Sequence, residues 1–240
     1  MQQENFHFTV NNQRFHAIAF YQKEWATPRP AVLIYHAFEG MNDVMQDNAR
    51  RIVDMGYVAI TLDVYGDGKI GHTFEECLAY YLALINDRKI LLSRLTASIE
   101  AARAHKQVNP NKIAAIGFCS GGLCVLDIAR AGINIQGVVS VHGVLTPPPH
   151  QNTQKITAKV LACHGHDDPQ MSKTQLDEFM QEMDAAGADW QFAIYSHTKH
   201  AFSDPNAHKI GPPEMGREYN ALTTERVWRL SQDFFNEVLK

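Results

Sequence analysis

The 240-residue chain has no basic block. Its 22 Lys and Arg are outnumbered by 26 Asp and Glu, for a formal net charge of −4. That balance argues against nucleic acid as the main partner. No apolar run approaches the ~20 residues a membrane-spanning helix needs. The polar start Met1-Gln2-Gln3-Glu4-Asn5 lacks a signal-peptide pattern. Cysteine is scarce: Cys77, Cys119, Cys124 and Cys163, with no C-x-x-C pair. This spacing offers neither a disulfide framework nor a thiolate metal site, and a reduced, cytoplasmic setting is the simplest expectation. Internal repeats and long linkers are also absent. The length suits one α/β domain over residues 1–240, with enough chain for a substantial core.

What is present is an alternation of strands and helices. Phe6–Val10 and Arg14–Tyr21 flank Asn11-Asn12 as a hairpin. Pro28 and Pro30 punctuate the next loop. Strands are expected at Val32–Tyr35, Tyr57–Leu62, Ile113–Phe118, Val138–Val141, Val160–Cys163 and Phe192–Tyr195. Helices are expected at Val44–Met55, Phe74–Ile85, Arg88–Lys106, Leu123–Ala131, Ser172–Ala186 and Thr223–Leu239, with Ser172 an N-cap and Gly187 a stop. Such alternation predicts a mostly parallel central sheet with helices on both faces. Sites in such sheets form beyond the carboxyl ends of the strands.

One segment stands out there. Gly117-Phe118-Cys119-Ser120-Gly121-Gly122 lies between a strand-like run and a helix-like run. The nucleophile elbow of an α/β-hydrolase reads G-x-S-x-G in that context, and here the central position is Cys119. Small residues at 117 and 121 let strand and helix pack closely around a strained turn. The turn sets the sulfur at a helix N-terminus, where the dipole favours negative charge. A nucleophile needs a base, and the base an orienting acid. In this fold they follow in the order nucleophile, acid, base. Asp167 and Asp168 both follow strand Val160–Cys163, and His197 and His200 both follow strand Phe192–Tyr195.

With these motifs the chain resembles the dienelactone hydrolase family over nearly its whole length. The cysteine elbow matches. His164-Gly165-His166-Asp167-Asp168-Pro169-Gln170-Met171 matches the family's acid motif in the register that selects Asp168, and His200-Ala201-Phe202 matches its H-[AS]-F motif and selects His200. The resemblance implies a Cys119–His200–Asp168 triad that hydrolyses small activated esters or lactones through a thioester, without metal or cofactor. The oxyanion donors would be the backbone N–H groups of Ser120 and Phe38. Glu39, Tyr65 and His142 are further pocket candidates. Thr73–Ile85 and Ser203–Gly216 are expected to shape the pocket. Two positions depart from the family pattern. Ala37 stands where members often carry a glutamate that can hold the resting thiol. Asp204 stands where dienelactone-specific members carry an arginine for the substrate carboxylate.

Other readings stay open. Cys124, Cys163 and Cys77 read best as packing. His164, His166 and Asp167 suggest loop polarity rather than a metal. His36 and His142 end strands and line the pocket or simply bond locally. The fold could serve as a non-catalytic small-ligand binder or redox sensor, or act on thioesters or other esters. Oligomeric state is not encoded in any pattern of the sequence.

Overall fold

The computed structural model describes residues 1–149 and 155–240. One eight-stranded sheet runs through it in the order β1-β2-β4-β3-β5-β6-β7-β8. The strands are β1 (Gln2–Val10), β2 (Gln13–Tyr21), β3 (Arg29–Tyr35), β4 (Val58–Leu62), β5 (Val108–Phe118), β6 (Gly137–Val141), β7 (Lys159–Gly165) and β8 (Trp190–Tyr195). The helices are α1 (Asp43–Asp54), α2 (Phe74–Ile85), α3 (Arg88–Arg103), α4 (Ser120–Arg130), α5 (Lys173–Ala185) and α6 (Ala221–Val238). β1, β2 and β4 pair antiparallel, and every other pairing is parallel. This is the α/β-hydrolase architecture expected from the alternation.

The period of two along the strands sets the layers. Leu33 and Tyr35 of β3 face one side, with Ile113 and Ala115 of β5, against α3, α4 and α5. Val32 and Ile34 face the other, with Ala114, Ile116 and Phe118, against α1 and α6. Both faces are covered, so the central strands read as unbroken apolar runs. Cys124 and Cys163 are buried in these two layers as small apolar groups, and Cys77 is buried in α2.

Two boundaries differ from expectation in informative ways. β5 begins at Val108 and runs through Pro110, with an irregular register against β3 between Arg29 and Ala31. Proline cannot donate to a ladder and is tolerated at such an irregularity. Helix α4 begins at Ser120, three residues earlier than its apolar pattern suggests, so Cys119 itself is the N-cap. The glycines at 121 and 122 hide those first turns from a propensity argument.

Candidate active site

Cys119 sits where β5 turns into α4, with φ +51° and ψ −111°. That is left-handed backbone, costly for a side chain other than glycine. The surroundings hold it. Its N–H donates to the Val141 carbonyl (3.0 Å) and to His142 Nδ1 (3.2 Å). A Cβ on Gly117 would overlap the Gly121 carbonyl, and one on Gly121 would overlap the Tyr35 carbonyl. The elbow therefore closes only with glycine at both positions. Helices α1, α2, α3, α5 and α6 each have a side-chain N-cap: Asn42, Thr73, Asp87, Ser172 and Asn220. Helix α4 has none. The first N–H groups of a helix lack intrahelical partners, and here no side chain covers them.

Three side chains from three strand ends meet in a line. His200 Nε2 lies 3.1 Å from Cys119 Sγ, and His200 Nδ1 lies 2.7 Å from Asp168 Oδ2. Asp168 Oδ1 also accepts from the Gln170 N–H (2.8 Å). His200 is buried, and burial alone would lower its pKa. The sulfur of Cys119 and the Asp168 carboxylate outweigh burial and raise it to about 10. Burial works against the Asp168 carboxylate as well, but its bond to His200 and the nearby imidazoles hold its pKa below the usual carboxylate value. The alternatives fall away by position. Asp167 is outside, bonded to His166 (2.7 Å), and His197 is exposed.

The family model described as the dienelactone hydrolase family matches residues 15–239. The chain belongs to the dienelactone hydrolase family. An uncharacterized protein of Caenorhabditis elegans, K02A2.1, is 35% identical over 149 residues, covering 61% of this chain and 93% of that one. A Bradyrhizobium protein named "Probable 2-oxo-3-(5-oxofuran-2-ylidene)propanoate lactonase" is 26% identical over 211 residues, 84% of each chain. Among solved structures, the dienelactone hydrolase-like promiscuous phosphotriesterase P91 from metagenomic libraries superposes with a TM-score of 0.95. It is 30% identical, with 100% of this chain and 99% of that chain covered.

In this family member the cysteine opens into a cavity of about 100 Å³. Phe74, Leu78 and Tyr81 line it from α2. Their i, i+4, i+7 spacing is one helical face. Phe38, Val144 and Met215 complete the apolar wall, and Gln170 and Arg217 add polar groups. The two segments expected to shape the pocket do so, through α2 and through Met215.

Three pocket candidates are corrected by the structure. Tyr65 is buried behind the wall, where its hydroxyl donates to the Phe38 carbonyl (3.0 Å). His142 is also buried, behind Cys119, with Nε2 2.8 Å from Ser203 Oγ. Because its Nδ1 accepts the Cys119 N–H, its proton is on Nε2. Burial, with the neighbouring His200, holds its pKa well below 6.5. Glu39 is buried and faces a separate polar hollow, and it pairs with Arg217.

Arg217 is the residue that sequence reasoning missed. Its side chain is 6% exposed, and Asp204 Oδ2 lies 3.6 Å from the same Nη2 that pairs with Glu39. Among the described residues its Nε and Nη1 have no hydrogen-bond partner. The signal was indirect: Glu39 and Asp204, two carboxylates destined for burial, need a cation. No spacing rule points to a residue 178 positions from Glu39. The described residues hold no cluster of His, Cys, Asp or Glu arranged for a metal ion, and no helix long and apolar enough to cross a membrane.

Proposed function

We propose that this chain hydrolyses small activated esters or lactones with Cys119 as nucleophile, His200 as acid and base, and Asp168 as the orienting group. One observation carries the reading: the unbroken line Cys119 Sγ–His200 Nε2–His200 Nδ1–Asp168 Oδ2, at 3.1 and 2.7 Å, opening into an apolar cavity. With its pKa raised to about 10, His200 is an imidazolium at neutral pH and faces the sulfur. The sulfur attacks the carbonyl carbon, and the carbonyl electrons move to the oxygen. Backbone N–H groups of Ser120 and Phe38 receive that oxyanion. Collapse expels the alkoxide or enolate, which takes the proton from His200 Nε2, and a thioester remains. Water then gives a proton to His200 and attacks the thioester, and the thiolate departs. Asp168 fixes the imidazole tautomer throughout.

Thiolate is a better leaving group than an ordinary alkoxide, so attack on a plain alkyl ester reverts. Aryl esters and enol lactones, whose leaving group is stabilised, go forward. The Arg217 guanidinium lies in the cavity wall and is the group that a carboxylate-bearing substrate would address. Its charge is shared with Glu39 and Asp204, so a substrate carboxylate would compete with those two partners for it. The name of the Bradyrhizobium relative, a propanoate lactonase, is consistent with such a substrate. The P91 structure favours a second substrate class, phosphotriesters: the same thiolate would attack phosphorus and expel an aryloxide, with the N–H pair receiving the charge on the phosphoryl oxygen.

The test is turnover of p-nitrophenyl acetate, a carboxylate-bearing ylidene furanone and a dialkyl p-nitrophenyl phosphate by the native chain and by Cys119→Ala. Loss of roughly 10³-fold or more on the ester and lactone is expected, because the nucleophile is gone. Equal rates on these would overturn the mechanism, and the phosphate arm decides the second class.

A further inference from the structure

His36 directly follows β3 and lies two residues before Phe38. It is 1% exposed and does not line the cavity beside Cys119. Its two ring nitrogens nevertheless have defined partners. Nε2 lies 3.2 Å from the Val64 N–H, which can only donate, so Nε2 is the unprotonated nitrogen. The proton is therefore on Nδ1, which donates to the Ala37 carbonyl at 2.8 Å. Burial supports this neutral form by lowering the His36 pKa. The Ala37 carbonyl and the Phe38 N–H belong to the same peptide unit. A hydrogen bond accepted at the carbonyl oxygen polarises the amide and strengthens its N–H as a donor. It also fixes the plane in which that N–H points.

Tyr65 does the same for the next peptide. Its hydroxyl donates to the Phe38 carbonyl at 3.0 Å, and its ring lies 4.6 Å from the His36 ring. The peptides on both sides of the Phe38 Cα are thus pinned at their oxygens. Asp63, at the end of β4, holds the turn that presents Val64 and Tyr65. Its carboxylate accepts from the N–H groups of Tyr65 (2.9 Å), Gly66 (2.8 Å) and Gly68 (2.9 Å). The Ser120 hydroxyl donates to the His36 carbonyl (3.3 Å), which ties the residue of one oxyanion donor to the strand end of the other. Among the described residues, no protein acceptor engages the Phe38 N–H.

We infer that His36, with Tyr65 as its partner, is the positioning group of the oxyanion hole, which orients and polarises the 37–38 peptide so that the Phe38 N–H meets the developing oxyanion. The inference rests on the proposed Cys119 mechanism. His36 touches no reacting atom, and its effect passes through the 37–38 amide and the Val64–Tyr65 turn.

Two reactions of the same sulfur separate this role from general support of the fold. Ester hydrolysis develops an oxyanion. Alkylation of Cys119 by iodoacetamide displaces iodide from carbon and develops none, yet it needs the same thiolate. In His36→Phe, kcat for p-nitrophenyl acetate should fall roughly 10–100-fold, at or below the loss seen when a whole oxyanion donor is removed. KM and the alkylation rate should stay within about twofold, since neither depends on oxyanion stabilisation. His36→Asn, whose amide N–H can still reach the Ala37 carbonyl, should recover part of kcat. Tyr65→Phe, which removes a single oxygen, should lose less than His36→Phe with the same split. It keeps the test decisive if His36→Phe fails to fold. An unchanged kcat in the variants would overturn the inference, and so would parallel loss of kcat and alkylation. Hydrolysis surviving in Cys119→Ala would instead remove the mechanism beneath it, a distinct failure.

Discussion

Left-handed backbone at the β1–β2 hairpin and left-handed backbone at the site are built differently. At the tip of the β1–β2 hairpin it falls on Asn11 (φ +49°) and Asn12 (φ +63°). At the carboxyl edge of the sheet it falls on Cys119 (φ +51°), His142 (φ +40°) and Ala201 (φ +54°). Asparagine enters this region readily, and a two-residue turn of this kind matches the twist of its strands. Cysteine, histidine and alanine do so at a cost of about 1–2 kcal/mol each. At the edge of the sheet the neighbours impose it. The Cys119 N–H is fixed on Val141, that of His142 on the Cys163 carbonyl (2.8 Å), and that of His200 on the Gly216 carbonyl (3.0 Å). The hairpin is specified by its own residues. The site is specified by the sheet, and the strain there places a sulfur 3.1 Å from an imidazole.

The largest expected effect comes from breaking the site while sparing the strain. Asp168→Asn keeps size and burial but removes the charge that orients His200. A loss of roughly 10³–10⁴ in kcat/KM is expected, by analogy with the aspartate of serine hydrolase triads. Steady-state kinetics beside an unchanged melting temperature would establish it, and a loss under tenfold would contradict the assigned role.

The asymmetry also explains how much was legible. The hairpin could be read outright, because Asn-Asn between alternating strands is a local signal. The three residues of the proposed triad could be picked as candidates because each sits in a short ordered motif, and the register of those motifs chose Asp168 over Asp167 and His200 over His197. The mostly parallel sheet with helices on both faces followed from the alternation of elements. The supporting groups could not be read. His142 was a pocket candidate because it ends a strand, and Tyr65 and Glu39 because they sit in or near family-like segments, yet a residue just beyond a strand can turn toward the cavity or behind it. Only the packed neighbours decide. Here His142 turns to the Cys119 N–H and Ser203, Tyr65 to the Phe38 carbonyl, and Glu39 to Arg217. Arg217 itself is brought in by tertiary pairing, which leaves no periodic trace.

Acid sharpens the contrast next. His36, His142 and His164 are buried near the strand ends, and burial lowers all three pKa values, that of His164 to about 4. A folded-state pKa below the unfolded value gives stability that is full above about pH 6.5 and is lost as pH falls toward the folded value. The sign is therefore destabilisation on acidification. For His164 alone it amounts to about 1.4 kcal/mol per pH unit between about 6.5 and 4. Urea titrations of the native chain and His164→Phe at pH 7.5 and pH 5 should differ by about 2 kcal/mol in their pH dependence. Parallel loss in both would show that His164 does not contribute.

The smallest effects test the comparison itself. Ala201→Gly relieves left-handed strain that only tertiary bonds enforce, and a gain of about 0.5–1 kcal/mol is expected after the entropy of glycine is deducted. Asn12→Gly relieves little, and a change within about 0.3 kcal/mol is expected because asparagine already tolerates the turn. Equal changes at both positions in chemical denaturation would mean that the two regions carry strain alike.

The central claim is that Cys119 is the nucleophile of a thioester mechanism, and trapping the intermediate tests it most directly. The native chain is acid-quenched during steady turnover of p-nitrophenyl acetate, digested, and mapped by mass spectrometry. The account predicts one acetyl group on the peptide containing Cys119, removable by hydroxylamine and absent in Cys119→Ala. An acetyl group on Ser120 in its place, or undiminished turnover in Cys119→Ala, would contradict it.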